Sequence, residues 1–297
     1  MTVRGQEQWL DVDGFRVHAM QWGDGDTPVL LVHGLGGHTI SWELVAPTVA
    51  GRLGATVTAV DLPGFGLTRV PAGRRATLGA HGRLLRTLLE RSGPAVVVGN
   101  SMGGALAVGL AARYPEVVRA LVLVDPALPR PAANPAQWTV MARLAPTLVP
   151  QVGSRYLAAR GRMLGPERLV EQTLAWTLCN PERIDPALRT RLVDLATTRQ
   201  SFPEAAAAYA ESGRALFWYL TRKMRADEAR VIAPTLIVHG DRDKLVPLAA
   251  ARALAARRPE FSLEVIDDCG HVPQLEVPDQ FLAAAMPWLV STLAARS

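Results

Sequence analysis

Lysine is all but missing from this chain: only Lys223 and Lys244 occur in 297 residues, so arginine carries nearly all of the positive charge. The arginines are scattered, with only short pairs such as Arg74-Arg75 and Arg257-Arg258, and aromatic residues make up just 6%. A nucleic-acid binder would concentrate its charge and interleave it with aromatics, so the net charge of +5 reads as compositional bias and no nucleic-acid partner is expected. Two cysteines, Cys179 and Cys269, are too few for a disulfide framework. They fit a reducing compartment, hence the cytoplasm, and read as small core residues. No apolar run reaches the roughly eighteen residues of a membrane span. The opening stretch, MTVRGQEQWLDVDG, has no apolar segment behind Arg4 and predicts no secretory leader.

What the chain does have is apolar material, 49% of its residues, enough for one large domain carrying an insertion. Trp9 to Asp13 and Gly14 to Gln21 form a hairpin pattern joined at Asp13-Gly14, a two-residue turn signal. Strand-like runs at Val29–Val32, Thr56–Val60, Ala95–Val98 and Ala120–Val124 alternate with helix-like segments at Trp42–Ala50, Thr77–Arg91 and Ala105–Arg113. Alternation of this kind predicts an α/β fold, a largely parallel sheet covered on both faces. Near residue 126 the rhythm breaks into prolines and helix-like segments, including Ala205–Leu220. It resumes with strands at Thr235–Val238 and Leu263–Ile266 and a closing helix from Pro278 to about Ala294. The expected organisation is a core of residues 1–127 and 231–297 with a helical cap inserted at 128–230.

Gly99-Asn100-Ser101-Met102-Gly103 follows the apolar Val96-Val97-Val98 and precedes a helix, the setting in which G-x-S-x-G forms a nucleophile elbow. A serine hydroxyl is a poor nucleophile and needs a base and an orienting acid. Of six histidines, His271 lies in a loop just after the last predicted strand and is the expected base. The acid is sought on the same sheet edge, at Asp243 in the loop after Thr235–Val238, with Asp125 as second candidate; Asp267 and Asp268 lie too near His271. An oxyanion hole is expected from the backbone amides of Met102 and of Leu35 in His33-Gly34-Leu35-Gly36-Gly37, with Gly36 as the alternative.

Over nearly its whole length the chain resembles α/β-hydrolase-fold enzymes. The resemblance is carried by the His33-Gly34 loop, Asp61-Leu62-Pro63-Gly64-Phe65-Gly66, the Ser101 elbow, Gly240 to Pro247, and Gly270-His271 followed by Glu276 and Pro278. It implies a mostly parallel sheet of the eight-stranded type with an inserted cap, and Ser101, Asp243 and His271 as nucleophile, acid and base. It also implies that Asp61 to Gly66 is a structural turn, and Thr68, where many relatives carry serine, is given no functional weight. An activity without cofactor or metal is expected. The elbow is similar to that of carbon–carbon bond hydrolases acting on ring-fission products, and equally to that of esterases. The loop lacks the proline those carbon–carbon hydrolases usually carry, and Val272 stands where they often have tryptophan. Hydrolysis of a small apolar ester through an acyl-enzyme is therefore the expected reaction, with carbon–carbon hydrolysis and a slow ligand-binding or signalling protein as alternatives. Trp138, Met141, Trp176, Phe202, Phe217, Trp218 and Tyr219 are expected to pack the cap, a few of them facing the pocket. Self-association into a homo-oligomer stays open.

Overall fold

The computed structural model describes residues 3–129, 149 and 151–295. Eight strands form one sheet: β1 (Gln6–Val12), β2 (Phe15–Trp22), β3 (Thr27–Val32), β4 (Ala55–Val60), β5 (Ala95–Asn100), β6 (Val118–Val124), β7 (Thr235–Gly240) and β8 (Ser262–Ile266). Their order is β1-β2-β4-β3-β5-β6-β7-β8. Pairing is antiparallel for β1–β2 and β2–β4 and parallel for the rest. The expected hairpin joins β1 to β2, with Asp13 at φ 48° and Gly14 at φ 75°, the left-handed pair that a two-residue turn demands.

Helices cover both faces. Along β5, Val97 belongs to a core shared with α2 (Leu78–Ser92), α3 (Met102–Arg113) and, later in the chain, Leu248–Arg257. Val96 and Val98 point the other way, into a core with α1 (Ala46–Leu53) and the terminal helix Pro278–Ala294. The period of two sends successive side chains into different layers, which is why a central strand can be apolar throughout. The helix expected over Trp42–Ala50 is instead a 3-10 turn at Thr39–Trp42 followed by α1. Pro47 sits in the first turn of α1, where its missing N–H is harmless, and it could not lie deeper in a helix.

Between β6 and β7 the described residues run as α4 (Val152–Thr177), α5 (Pro186–Gln200), α6 (Ala205–Arg222) and α7 (Met224–Glu228). Gly165, at φ 72° ahead of Pro166, breaks α4 in two. Asp185 caps α5 by accepting from the Ala187 amide at 2.8 Å. Val170, Leu174, Leu188 and Leu192 pack α4 on α5, and Leu275 joins them from the far end of the chain. These helices are tied to the sheet by polar contacts: Arg199 donates to the Gly66 and Gly64 carbonyls at 2.6 and 2.8 Å, and Glu211 accepts from the Ala76 amide at 2.9 Å. His81 of α2 meets the Ser212 hydroxyl at 3.0 Å, and that hydroxyl donates to the Ala76 carbonyl. The remaining helices are α8 (Leu248–Arg257), α9 (Pro273–Glu276) and α10 (Pro278–Ala294). No helix among the described residues is long and apolar enough to cross a membrane.

Of the large apolar residues expected to pack the insertion, Trp138 and Met141 lie outside the described residues. Trp218 is 47% exposed, whereas Tyr219 is buried in the core beneath α3 and donates to Asp227 at 2.9 Å. Cys269 is fully buried, as expected, but Cys179 is only half-buried.

Candidate active site

Ser101 stands between β5 and α3 at φ 54°, ψ −115°, a conformation that L side chains rarely adopt. The turn is possible because its flanking glycines are crowded. A Cβ on Gly103 would lie 2.2 Å from the Val32 carbonyl oxygen, and one on Gly99 would lie 2.4 Å from that of Gly103. The Asp61–Gly66 turn is structural: buried Asp61 accepts from the Thr39 and Leu67 amides and from His18 Nδ1, at 2.7, 2.8 and 2.7 Å. Burial alone would raise the Asp61 carboxyl, but these donors hold it below the usual carboxylate range. Thr68 is buried and its hydroxyl accepts from the His18 amide at 2.9 Å.

The loop after β3 approaches Ser101 closely; a Cβ on Gly34 would sit 2.9 Å from the Ser101 Cβ. The Gly34 carbonyl accepts from His33 Nδ1 at 2.6 Å and from the Gly37 amide at 3.0 Å. His33 Nε2 in turn accepts from the Leu62 amide at 3.0 Å, so its ring is fixed as a neutral tautomer, consistent with a pKa lowered by burial. In a trans peptide the Leu35 N–H points opposite to the Gly34 carbonyl, away from this turn. Among the described residues it meets no backbone acceptor. The Met102 amide begins α3 and has no acceptor within the helix. The Met102 amide adjoins Ser101, and the Leu35 amide follows the Gly34 that approaches it. Over the loop lies α6: a Cβ on Gly36 would meet Tyr209 at 3.0 Å, and one on Gly213 would meet Leu35 at 3.4 Å.

The structure brings Asp243 and His271 together, with Oδ2 and Nδ1 2.6 Å apart. The second Asp243 oxygen accepts from the Leu245 and Val246 amides at 2.7 and 3.0 Å. Burial opposes its charge, yet the His271 imidazole outweighs it and holds the Asp243 carboxyl below its ordinary range. An ionised Asp243 accepts, so His271 Nδ1 carries a proton, which in the neutral ring leaves the lone pair on Nε2. The rival, Asp125, makes no hydrogen bond to His271; it lies behind Asp243, fully buried. Asp268 pairs with Arg183 and Asp241 accepts from the Cys269 amide at 3.3 Å, so neither orients the imidazole.

Several supporting residues escaped the sequence reading. Asn100 donates to the His271 carbonyl at 3.0 Å and to that of Val124 at 3.1 Å, locking the loop to the strand end beside Ser101. The only signal was a polar residue closing an apolar strand. The His271 amide donates to the Thr177 carbonyl at 2.6 Å. That carbonyl belongs to the last turn of α4, where helix acceptors are left over. Lys244 meets the same need, donating to the Ala175 and Leu178 carbonyls at 3.0 and 2.8 Å. Glu276 was visible only as a landmark. Its buried carboxylate accepts from the Cys179, Asn180 and Gly270 amides at 3.0, 2.7 and 2.8 Å, and from Arg183 at 3.2 Å.

Comparison with known proteins follows the same outline. A 2-hydroxy-6-oxononadienedioate/2-hydroxy-6-oxononatrienedioate hydrolase of Cupriavidus pinatubonensis is 28% identical over 288 residues, covering 93% of this chain and 92% of the relative. A pimeloyl-[acyl-carrier protein] methyl ester esterase of Aromatoleum aromaticum is 32% identical over 256 residues, covering 84% of this chain and 93% of the relative. Among solved structures, a membrane phospholipase A described as a bacterial virulence factor superposes with a TM-score of 0.76 at 26% identity, over 97% of this chain and 86% of that one. The family model for the alpha/beta hydrolase fold matches residues 27–278, and the chain belongs to that family, among relatives that are hydrolases.

Proposed function

We propose that this chain hydrolyses a carboxylic ester of a small apolar acid through an acyl-enzyme, with Ser101, His271 and Asp243 as nucleophile, base and acid. The observation that carries the reading is the 2.6 Å contact between His271 and Asp243, held by Asn100 to the strand that ends in strained Ser101. In the mechanism, Ser101 Oγ attacks the ester carbonyl as His271 Nε2 takes its proton. The tetrahedral oxyanion is met by the Leu35 and Met102 amides, whose directions are set before reaction begins. Collapse expels the alcohol, protonated by His271; water, activated by the same imidazole, then releases the acid. The helices between β6 and β7 serve as the cap, with half-buried Trp176, Phe202 and Phe217 as candidates to line an apolar pocket.

A second reading, hydrolysis of a carbon–carbon bond in a ring-fission product, is favoured by the near full-length match to the dienedioate hydrolase. The test is steady-state turnover of p-nitrophenyl esters of graded acyl length beside a dienone ring-fission product. S101A should lower turnover of the preferred substrate at least about ten-thousandfold while the protein stays folded. Unchanged turnover by purified S101A would overturn the assignment. Preference for the dienone would select the second reading, and no steady-state turnover of either would mark a binding protein.

A further inference from the structure

Behind the candidate acid lies a second carboxyl group. Asp125 follows β6 at φ 41°, a left-handed conformation that aspartate tolerates better than most residues, and its side chain is fully buried. One oxygen accepts from the Gly240 amide at 2.9 Å. The other, Oδ2, is buried and has no hydrogen-bond partner among the described residues. Carboxylate oxygens of Asp125 and Asp243 and a ring nitrogen of His239 all lie within 4.8 Å of one another.

Such spacing would also suit a cation, but the donors present speak against one. His239 Nε2 lies 3.0 Å from the Val246 carbonyl, an acceptor, so this nitrogen carries a hydrogen. That hydrogen is taken by the Val246 carbonyl, His239 Nε2 lying 3.6 Å from Asp125 and 3.7 Å from Asp243, while the Gly240 N–H points at Asp125. The cluster needs a proton, not a metal. Two carboxylates this close and this dry cannot both hold a charge. Asp243 has the better claim to it, since it accepts from two amides and from His271.

Resting on the reading of Asp243 as the acid, we propose that Asp125 is a neutral carboxylic acid whose Oδ2–H donates to the Asp243 carboxylate, making Asp125 a positioning residue for the candidate triad. The proton gives the orphan oxygen a partner and Asp243 a further donor, so the acid is held from behind as well as by its own loop. The charged and titratable groups around Asp125 agree. Burial and the Asp243 charge push its carboxyl well above the usual range, and Glu276 adds to this. His239 is kept neutral by burial and supplies no compensating charge.

The test compares D125N, which keeps a donor and an acceptor in place, with D125A, which removes both, on the substrate that wild type turns over. D125N should retain kcat within about threefold and leave the acid limb of the kcat/KM profile in place. D125A should lose about tenfold or more in kcat with little change in KM. Its acid limb should move up by ~0.5 pH unit, because an Asp243 charge no longer shared with Asp125 holds the His271 imidazolium more tightly. A downward shift of the limb in D125N would show that a negative charge had been removed and would overturn the proposal. Equal losses in both variants with no shift would overturn it too, as a purely structural role. Should D125A fail to fold, D125S replaces it. Infrared spectroscopy gives a readout independent of catalysis: folded wild type at neutral pH should show a protonated carboxylic acid band that D125N lacks. Identical spectra would refute the neutral acid even if Ser101 proves to be the nucleophile. A band present while S101A stays active would refute the triad and spare the proton.

Discussion

Replacing Glu276 by glutamine should destabilise the protein by about 4 kcal/mol without altering its shape. One carboxylate oxygen accepts from the Cys179 and Gly270 amides, the other from the Asn180 amide and Arg183. Glutamine offers one oxygen, so its NH2 must face donors on one side. In the better orientation the Cys179 and Gly270 bonds survive without charge assistance, while Asn180 and Arg183 lose their acceptor. The lost Asn180 bond to a charged group at about 1.5–3 kcal/mol, the partly exposed Arg183 contact at about 1 kcal/mol, and the weakening of the two surviving bonds give roughly 3–5 kcal/mol. At about 2 °C per kcal/mol for a large chain, Tm should fall by about 8 °C. R183A should cost only about 1 kcal/mol, because its contact is long and Arg183 is partly exposed. In the double variant the two losses should add to less than their sum. Calorimetry and urea titration measure each. A Tm within about 2 °C of wild type for E276Q would refute the reasoning, since the buried amides would then have to be satisfied in some other way.

Three further outcomes follow from the same physics. G103A should lose at least about 1–3 kcal/mol in urea titrations, because its Cβ would run into two backbone carbonyls that cannot yield. G82A, inside α2 with nothing within 4 Å of the new Cβ, should gain about 0.5–1 kcal/mol in the same titrations. His81 is fully buried and neutral, its pKa lowered by burial to about 3 from an unfolded value near 6.5. Between those two values the unfolded chain binds the extra proton, so stability falls as pH drops from about 6.5 towards 3. H81Q should flatten that slope in urea midpoints measured across the interval; an unchanged slope would exclude His81 as its source.

The sheet was readable because its strands are β-branched runs bounded by turn residues, and Asp13-Gly14 named its own hairpin. Ser101, Asp243 and His271 were readable as candidates because the chemistry proposed for them belongs to side chains in turns and loops that follow strands. What supports them was not. The acceptor for the His271 amide is a main-chain carbonyl, and any residue at position 177 would offer one. Glu276 binds amides nearly a hundred residues upstream, a pairing that exists only once α4 has docked. Asp125 was legible as a rival acid but not as a proton donor, since that role depends on the distance to Asp243. The helix α4 escaped notice because its apolar residues form no single stripe: Val170 and Leu174 are buried while Met163 is 83% exposed.

The bond from the His271 amide to Thr177 bears on how such proteins change substrate over evolutionary time. An insertion between β6 and β7 looks like an interchangeable module that could be swapped to alter specificity. Here its first long helix among the described residues ends on the backbone of the candidate base, and residues 179 and 180 close on Glu276. A chimera that grafts a foreign insertion must therefore keep the junction at 177–180, or it will forfeit the base along with the old pocket. Diversification is confined to the parts of the insertion upstream and downstream of that junction.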